Sequence, residues 1–187
     1  SGANFEDISI STNPATYVQQ DTIDTVTVIL SADVSNITEA GGNVVYTARL
    51  SYNDTLINNI GGSTIVVNLE FDDSGNPFDA QIQILNGTST GTYTRNVAAN
   101  EDVYTEIDAV TVAEISGIVN GEGQVHGFED LQTDTTQVST DILDTTDDVT
   151  VVLTVDQSTI SESSSSQTIT YTATIHRGDG TSNDPVS

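Results

Sequence analysis

The chain has no cysteine, no lysine and no tryptophan among its 187 residues. Without cysteine there is no disulfide scaffold and no thiolate metal site. The basic side chains are Arg49, Arg95 and Arg177, set against 28 acidic residues, for a net charge of -25. That imbalance repels nucleic acid and anionic membrane surfaces. No apolar run is long enough to span a bilayer, so membrane insertion is not expected. So many acids could supply a glycosidase pair of carboxylates. The lack of tryptophan and the scarcity of other aromatics leave little to stack on a sugar, which sets that reading aside. His126 and His176 stand 50 positions apart at different strand ends and read as surface residues rather than a metal pair.

What the chain does contain is strand-forming. Apolar residues make up 35% of it, mostly Val, Ile, Leu and Ala, with many Thr beside them. Such residues suit a pleated, half-buried surface better than a helix. Their regular alternation argues against disorder, the default for so acidic a composition. The charge still has to be offset. High salt would screen it, and bound divalent cations would neutralise it. Asp outnumbers Glu heavily, and many Asp sit in turns beside Gly, Asn and Thr. That placement favours ligation of a hard cation by oxygen, and calcium is the expected staple where disulfides are absent.

Self-comparison reveals an internal repeat. Residues 5–39 align without gaps to residues 128–162, at an offset of 123, with 15 of 35 positions identical. Phe5-Glu6-Asp7 falls on Phe128-Glu129-Asp130, and Val26-Thr27-Val28 on Val149-Thr150-Val151. Asp21, Asp24, Leu30, Asp33, Ile37 and Glu39 fall on Asp144, Asp147, Leu153, Asp156, Ile160 and Glu162. After a two-residue insertion, Tyr46-Thr47-Ala48 matches Tyr171-Thr172-Ala173. The expected organisation is a complete domain at 24–146. Residues 1–23 are then the terminal strand of a preceding repeat, and 147–187 the first strands of a following, incomplete one. With no signal peptide and an abrupt start at Ser1, the chain reads as excised from something longer.

Alternation and turn residues place strands at Val26–Asp33, Asn43–Ser51, Ser63–Phe71, Ala80–Leu85, Thr90–Val97, Ala109–Ile118 and Phe128–Ser139. Asn86-Gly87 reads as a hairpin turn between two of them. About seven short strands at this spacing predict an all-β, immunoglobulin-like antiparallel β-sandwich in tandem repeat.

Three stretches carry a family resemblance: VTVVLTVDQSTISE with ITYTATI (149–175), NGTSTGTYTRNVAANEDVY (86–104) and GFEDLQTDTTQVSTDILD (127–144). They resemble the extender repeats of large bacterial biofilm adhesins exported by type I secretion, the RTX and BapA-like or LapA-like group. Calx-β-like domains share the Ser/Thr-Glu turn and the acidic loop. The resemblance implies an extracellular rod of stacked sandwiches on the bacterial surface, stiffened by calcium at the junctions. Its partners would be the neighbouring repeats of the same polypeptide. The glycine-rich nonapeptides that mark the secretion end of such proteins are absent from this sequence.

The expected calcium ligands lie in turns and linkers near the domain ends. One site is assigned to Asp24, Glu39, Glu101 and Asp102, with Asp21 in the same linker as Asp24. The repeat equivalents Asp144, Asp147, Asp148 and Glu162 help to form the next, and Asp72 and Asp73 are a weaker third possibility. No catalytic centre is expected. Gly87-Thr88-Ser89-Thr90-Gly91 spells the G-x-S-x-G pattern of a hydrolase nucleophile elbow. That motif requires a strand-to-helix turn and a histidine base, whereas this segment lies between strands. Arg177-Gly178-Asp179 spells an integrin-type triplet, of a kind that arises by chance in Gly- and Asp-rich chains. Three functions follow in order: a structural rod element, a polysaccharide- or protein-binding module, and a self-associating subunit whose C-terminal strands complete a neighbour.

Overall fold

The computed structural model describes residues 6–7, 9–60, 62–100, 102–105, 109–120, 127–162 and 165–177. Twelve strands follow one another along the chain. They are β1 (Thr25–Ala32), β2 (Asn36–Thr38), β3 (Gly42–Tyr52), β4 (Thr55–Leu56), β5 (Ile65–Asp73) and β6 (Asn76–Ile84), then β7 (Thr90–Val97), β8 (Ala109–Asn120), β9 (Asp130–Thr133), β10 (Val138–Leu143), β11 (Val149–Val155) and β12 (Tyr171–Arg177). The first ten form a two-sheet sandwich. One sheet runs β4-β3-β1-β9, with β7 also on β3, and the other runs β2-β10-β8-β5-β6. The all-β, immunoglobulin-like reading is thus met. Most pairings are antiparallel, but β1 with β9 and β2 with β10 are parallel.

Alternation builds the core. Val26, Val28 and Leu30 of β1 point inward with Val44, Tyr46, Ala48 and Leu50 of β3. They meet Ile65, Val67, Leu69 and Phe71 of β5 and Ile82 and Ile84 of β6. Each buried Val, Leu, Ile or Phe among them contributes about 1.5–3 kcal/mol by leaving water. The Phe71 ring is the hub. It stacks on Phe78 at 4.7 Å and meets Tyr46 edge-on at 4.9 Å.

Two local readings change. The pair Asn86-Gly87 does turn the chain, with Gly87 at φ +86°. It does not close a hairpin, because β6 and β7 lie in different sheets. The chain arches across the core instead. Asn59, fully buried, pins this arch by donating from Nδ2 to Ser63 O at 2.7 Å and to Ile84 O at 3.1 Å. Gly91 is required there, since a Cβ would come within 2.2 Å of Gln83 O. Both glycines of the G-x-S-x-G match therefore serve backbone geometry, and a strand rather than a helix follows them. The hairpin lies earlier, at Ser74-Gly75 between β5 and β6, with φ of +49° and +91°. Those values match the twist of paired strands, and Gly75 N donates to Asp72 Oδ1 at 2.7 Å.

The expected strand Phe128–Ser139 is two strands. Asp134 N donates to Val28 O at 2.8 Å, and Asp134 Oδ1 accepts from Thr136 N at 3.0 Å and from Thr136 Oγ1 at 2.7 Å. This side-chain turn bends the chain from one sheet to the other. It holds the Asp134 carboxyl below the usual aspartate range, chiefly through the Thr136 hydroxyl.

Strands β11 and β12 form a separate two-stranded sheet. They pair in the register that β1 and β3 adopt. Val28↔Leu50 and Ala32↔Tyr46 correspond to Val151↔Ile175 and Val155↔Tyr171. The closing bonds recur as well. Asp33 N donates to Val45 O and Val45 N to Asp33 Oδ1, while Asp156 N donates to Thr170 O and Thr170 N to Asp156 Oδ1. Burial does not recur. Leu30 and Tyr46 are 7% and 0% exposed, but Leu153 and Tyr171 are 66% and 65% exposed.

Candidate functional site

The parallel ladder of β2 on β10 sets Glu39 beside the end of β10. Glu39 N donates to Leu143 O at 3.0 Å. The Glu39 side chain is buried, and its Oε1 accepts from Thr145 N at 2.9 Å and from Thr145 Oγ1 at 2.7 Å. These bonds, led by the Thr145 hydroxyl, hold the carboxyl below the usual glutamate range, and the Asp144 carboxyl stands beside it. On its other flank, Glu39 O accepts from Asn100 N at 2.8 Å. Gly41, at φ +78°, lets the turn close against the 97–99 backbone; a Cβ there would lie 2.7 Å from both Val97 O and Ala99 N.

A cavity of about 450 Å³ opens next to this turn, lined by Glu39, Asp73, Arg95, Asn96, Asn100 and Asp144 among others. Asp144 Oδ1 is shut away from solvent. Arg95 crosses from β7 to the opposite sheet. Its Nη2 meets Asp73 Oδ2 at 2.6 Å, and its Nη1 donates to the Thr111 hydroxyl. The guanidinium also lies 5.4 Å over the Phe78 ring. Thr111 Oγ1 donates to Asp73 Oδ1 at 3.0 Å. Arg95 thus neutralises Asp73, and Asp72 is engaged with Gly75. The negative charge of the cavity wall comes from Glu39 and Asp144.

The sequence grouping of Asp24 with Glu39 is corrected by the fold. Asp24 precedes β1 and Glu39 follows its far end, and the eight residues of β1 span about 26 Å. At the Asp24 end, Tyr52 OH donates to Asp24 Oδ1 at 3.0 Å and Asp24 N donates to Glu129 Oε2 at 2.8 Å. The Asp24 carboxylate pushes the Tyr52 phenol up. Thr25 Oγ1 donates to Asp130 Oδ2 at 2.8 Å. Glu129 and Asp130 were not among the expected ligands, although the repeated Phe-Glu-Asp triplet marks both.

The remaining expected ligands are scattered. Asp102 is half-buried and accepts from Tyr104 N at 2.7 Å. Asp21, Asp147, Asp148 and Glu162 are exposed. Glu101, His126, Gly178 and Asp179 lie outside the described residues. Among the described residues, no three acidic or histidine side chains converge closely enough to enclose a metal ion. No helix among them is long and apolar enough to cross a membrane.

A family model for the LapA domain matches residues 24–145. The chain belongs to the LapA domain family. The match spans β1–β10 of this LapA domain and both of its carboxylate-bearing ends. Among solved structures, the chain is similar to the apo-form Calx CBD1 domain at 14% identity and a TM-score of 0.42, covering 63% of this chain and 97% of that one. It is also similar to CBD12 from CALX1.2, at 13% identity and a TM-score of 0.41, covering 62% of this chain and 44% of that one. No curated protein matches the LapA domain described here.

Proposed function

We propose that this chain is a structural extender module of a secreted bacterial surface adhesin of the RTX, BapA-like or LapA-like group. It serves cell adhesion and biofilm formation as a length of extracellular rod. The observation that carries this reading is the recurrence of the β1–β3 ladder, bond for bond, in β11–β12. A chain that restarts the same sandwich after a short linker is organised as tandem domains: 1–23 ending one, 24–146 complete, 147–187 opening another.

Calcium fits the ends of such a module. Glu39 and Asp144 carry the charge of one end, with Asp102 in the adjoining loop and Glu101 next to it in sequence. Asp147 and Asp148 follow in the linker and supply further oxygens. Asp21 and Asp24, with Glu129, belong to the opposite end, and Glu162 repeats Glu39 in the next unit. A divalent ion shared across a junction takes six to eight oxygens from such a mixed set. It would offset charge that otherwise drives the domains apart.

Thermal melting in millimolar calcium against chelator tests the assignment. A ligand that binds only the folded state raises the melting temperature by mass action. An unchanged melting temperature, with unchanged dimensions in small-angle scattering, refutes calcium rigidification.

A further inference from the structure

We propose that Glu39 is a metal-independent latch on the chain as it leaves β10, fixing the direction in which it departs toward the next unit. The inference rests on the tandem reading of residues 147–187 but not on calcium.

The last strand of the sandwich, β10, ends at Leu143. Backbone beyond a terminal strand stays mobile unless something ties it down. Here the next two residues are held. Asp144 and Thr145 are half-buried, whereas Thr146, Asp147 and Asp148 are exposed. Glu39 Oε1 accepts from the Thr145 backbone N–H at 2.9 Å and from its hydroxyl at 2.7 Å. Because both bonds meet on one oxygen, they fix the Thr145 side chain together with its peptide plane. Bonds to an ionised acceptor are also about twice as strong as neutral ones.

A latch needs a rigid post. Glu39 is 5% exposed, and its backbone is tied on both sides. Its N–H donates to Leu143 O at 3.0 Å, and its carbonyl accepts from Asn100 N at 2.8 Å. Gly41 N donates to Thr38 O at 3.0 Å, which closes the turn that carries Glu39. The post therefore stands on β2, on β10 and on the loop after β7. Strand β11 begins at Val149. The three residues between Thr145 and Asp148 inclusive of the latter span at most about 10 Å. So short a tether limits the orientations open to β11 once Thr145 is fixed.

The parts of the latch recur with the repeat. Glu162 stands at the counterpart of Glu39, and Asp21-Thr22 at that of Asp144-Thr145. In the tandem reading, Thr22 is the residue held by the preceding unit, and Glu162 is the post of the following one.

Amide exchange and nitrogen-15 relaxation on the whole chain in chelator test the latch. The expected result is a protected Thr145 amide with an order parameter of about 0.85, the value of rigid backbone. Glu39→Ala speeds Thr145 exchange by about tenfold or more and lowers the order parameter below about 0.6. Thr145→Val, which loses the hydroxyl bond and leaves the core untouched, moves both in the same direction by less. Thr145→Ser restores the parent values, and Thr146→Val changes neither. The direction of departure is read from spin labels on cysteines placed at exposed Thr92 and Thr150, in a chain with no cysteine of its own. In chelator, Glu39→Ala and Thr145→Val broaden the distance distribution between them. A Thr145 amide as open as that of Thr146 overturns the proposal. So does a distribution that both variants leave unchanged, the result expected if Glu39 only stabilises the sandwich. A parent distribution that is as broad as the variants' and narrows only with calcium overturns it as well. Absence of the Val151–Ile175 cross-strand contact in the same spectra strikes the tandem reading, while the Thr145 amide still decides the latch.

Discussion

Asp73→Ala is expected to destabilise the sandwich more than Arg95→Met, although the two remove the same ion pair. The Arg95 side chain is 9% exposed and that of Asp73 is 35% exposed. Removing Asp73 leaves a guanidinium charge inside the sandwich and also takes the acceptor from the buried Thr111 hydroxyl. Breaking a buried pair in this way costs about 3–5 kcal/mol. Arg95→Met keeps the apolar stem over Phe78 and leaves Asp73 free to draw on water, so its cost is about 1–3 kcal/mol. For a domain of this size, 1 kcal/mol corresponds to about 4 °C in melting temperature. The two variants should therefore differ by several degrees in thermal melts followed by circular dichroism. The double variant, which strands no charge, should be more stable than Asp73→Ala alone. Equal losses, or strict additivity in the double variant, would refute the view of Arg95 as an ionic pin between the sheets.

Gly41→Ala is expected to cost about 2 kcal/mol or more, because a Cβ is strained at positive φ and here meets backbone atoms that cannot turn aside. Urea unfolding measures it, and a loss below about 0.5 kcal/mol, the range of a neutral surface change, would show that the turn opens freely. Glu39→Gln tests the depressed Glu39 carboxyl. A group with a lowered folded value adds stability above its unfolded value, near pH 4.3, and loses it as pH falls through the folded value. The gap in urea midpoint between the parent chain and Glu39→Gln should therefore narrow from neutral pH to about pH 3. A gap that stays constant would show that the Thr145 bonds do not favour the ionised form.

The alternation of Val26, Val28 and Leu30 made β1 legible because a period of two leaves a direct mark on sequence. The turn at Gly87 was legible for the same local reason. Which strand lies beside which was not. A turn residue reports that the chain reverses, but not whether the next strand joins the same sheet or the facing one. Ile82 and Val97 both point into the core across that turn, so the same alternation serves an arch as well as a hairpin. The bend at Asp134 was hidden likewise, since an Asp-Thr-Thr run fits a polar strand face until its side chain is seen bonding Thr136. The division of the acids between two ends depends on the direction of β1 through the fold. Repeat spacing set Asp24 against Asp147, but it could not say that Asp24 and Glu39 lie beyond opposite ends of β1.

The parallel pairings give the sandwich a direction of strength. The first two strands of the LapA domain pair in parallel with its last two, β1 with β9 and β2 with β10. Tension applied at residues 24 and 145 pulls these ladders lengthwise rather than peeling them open from one end. Their rungs then have to fail together, and only after that can the chain between them pay out, by roughly 400 Å when fully extended. A sandwich wired in this way yields abruptly and late, as a mechanical fuse does.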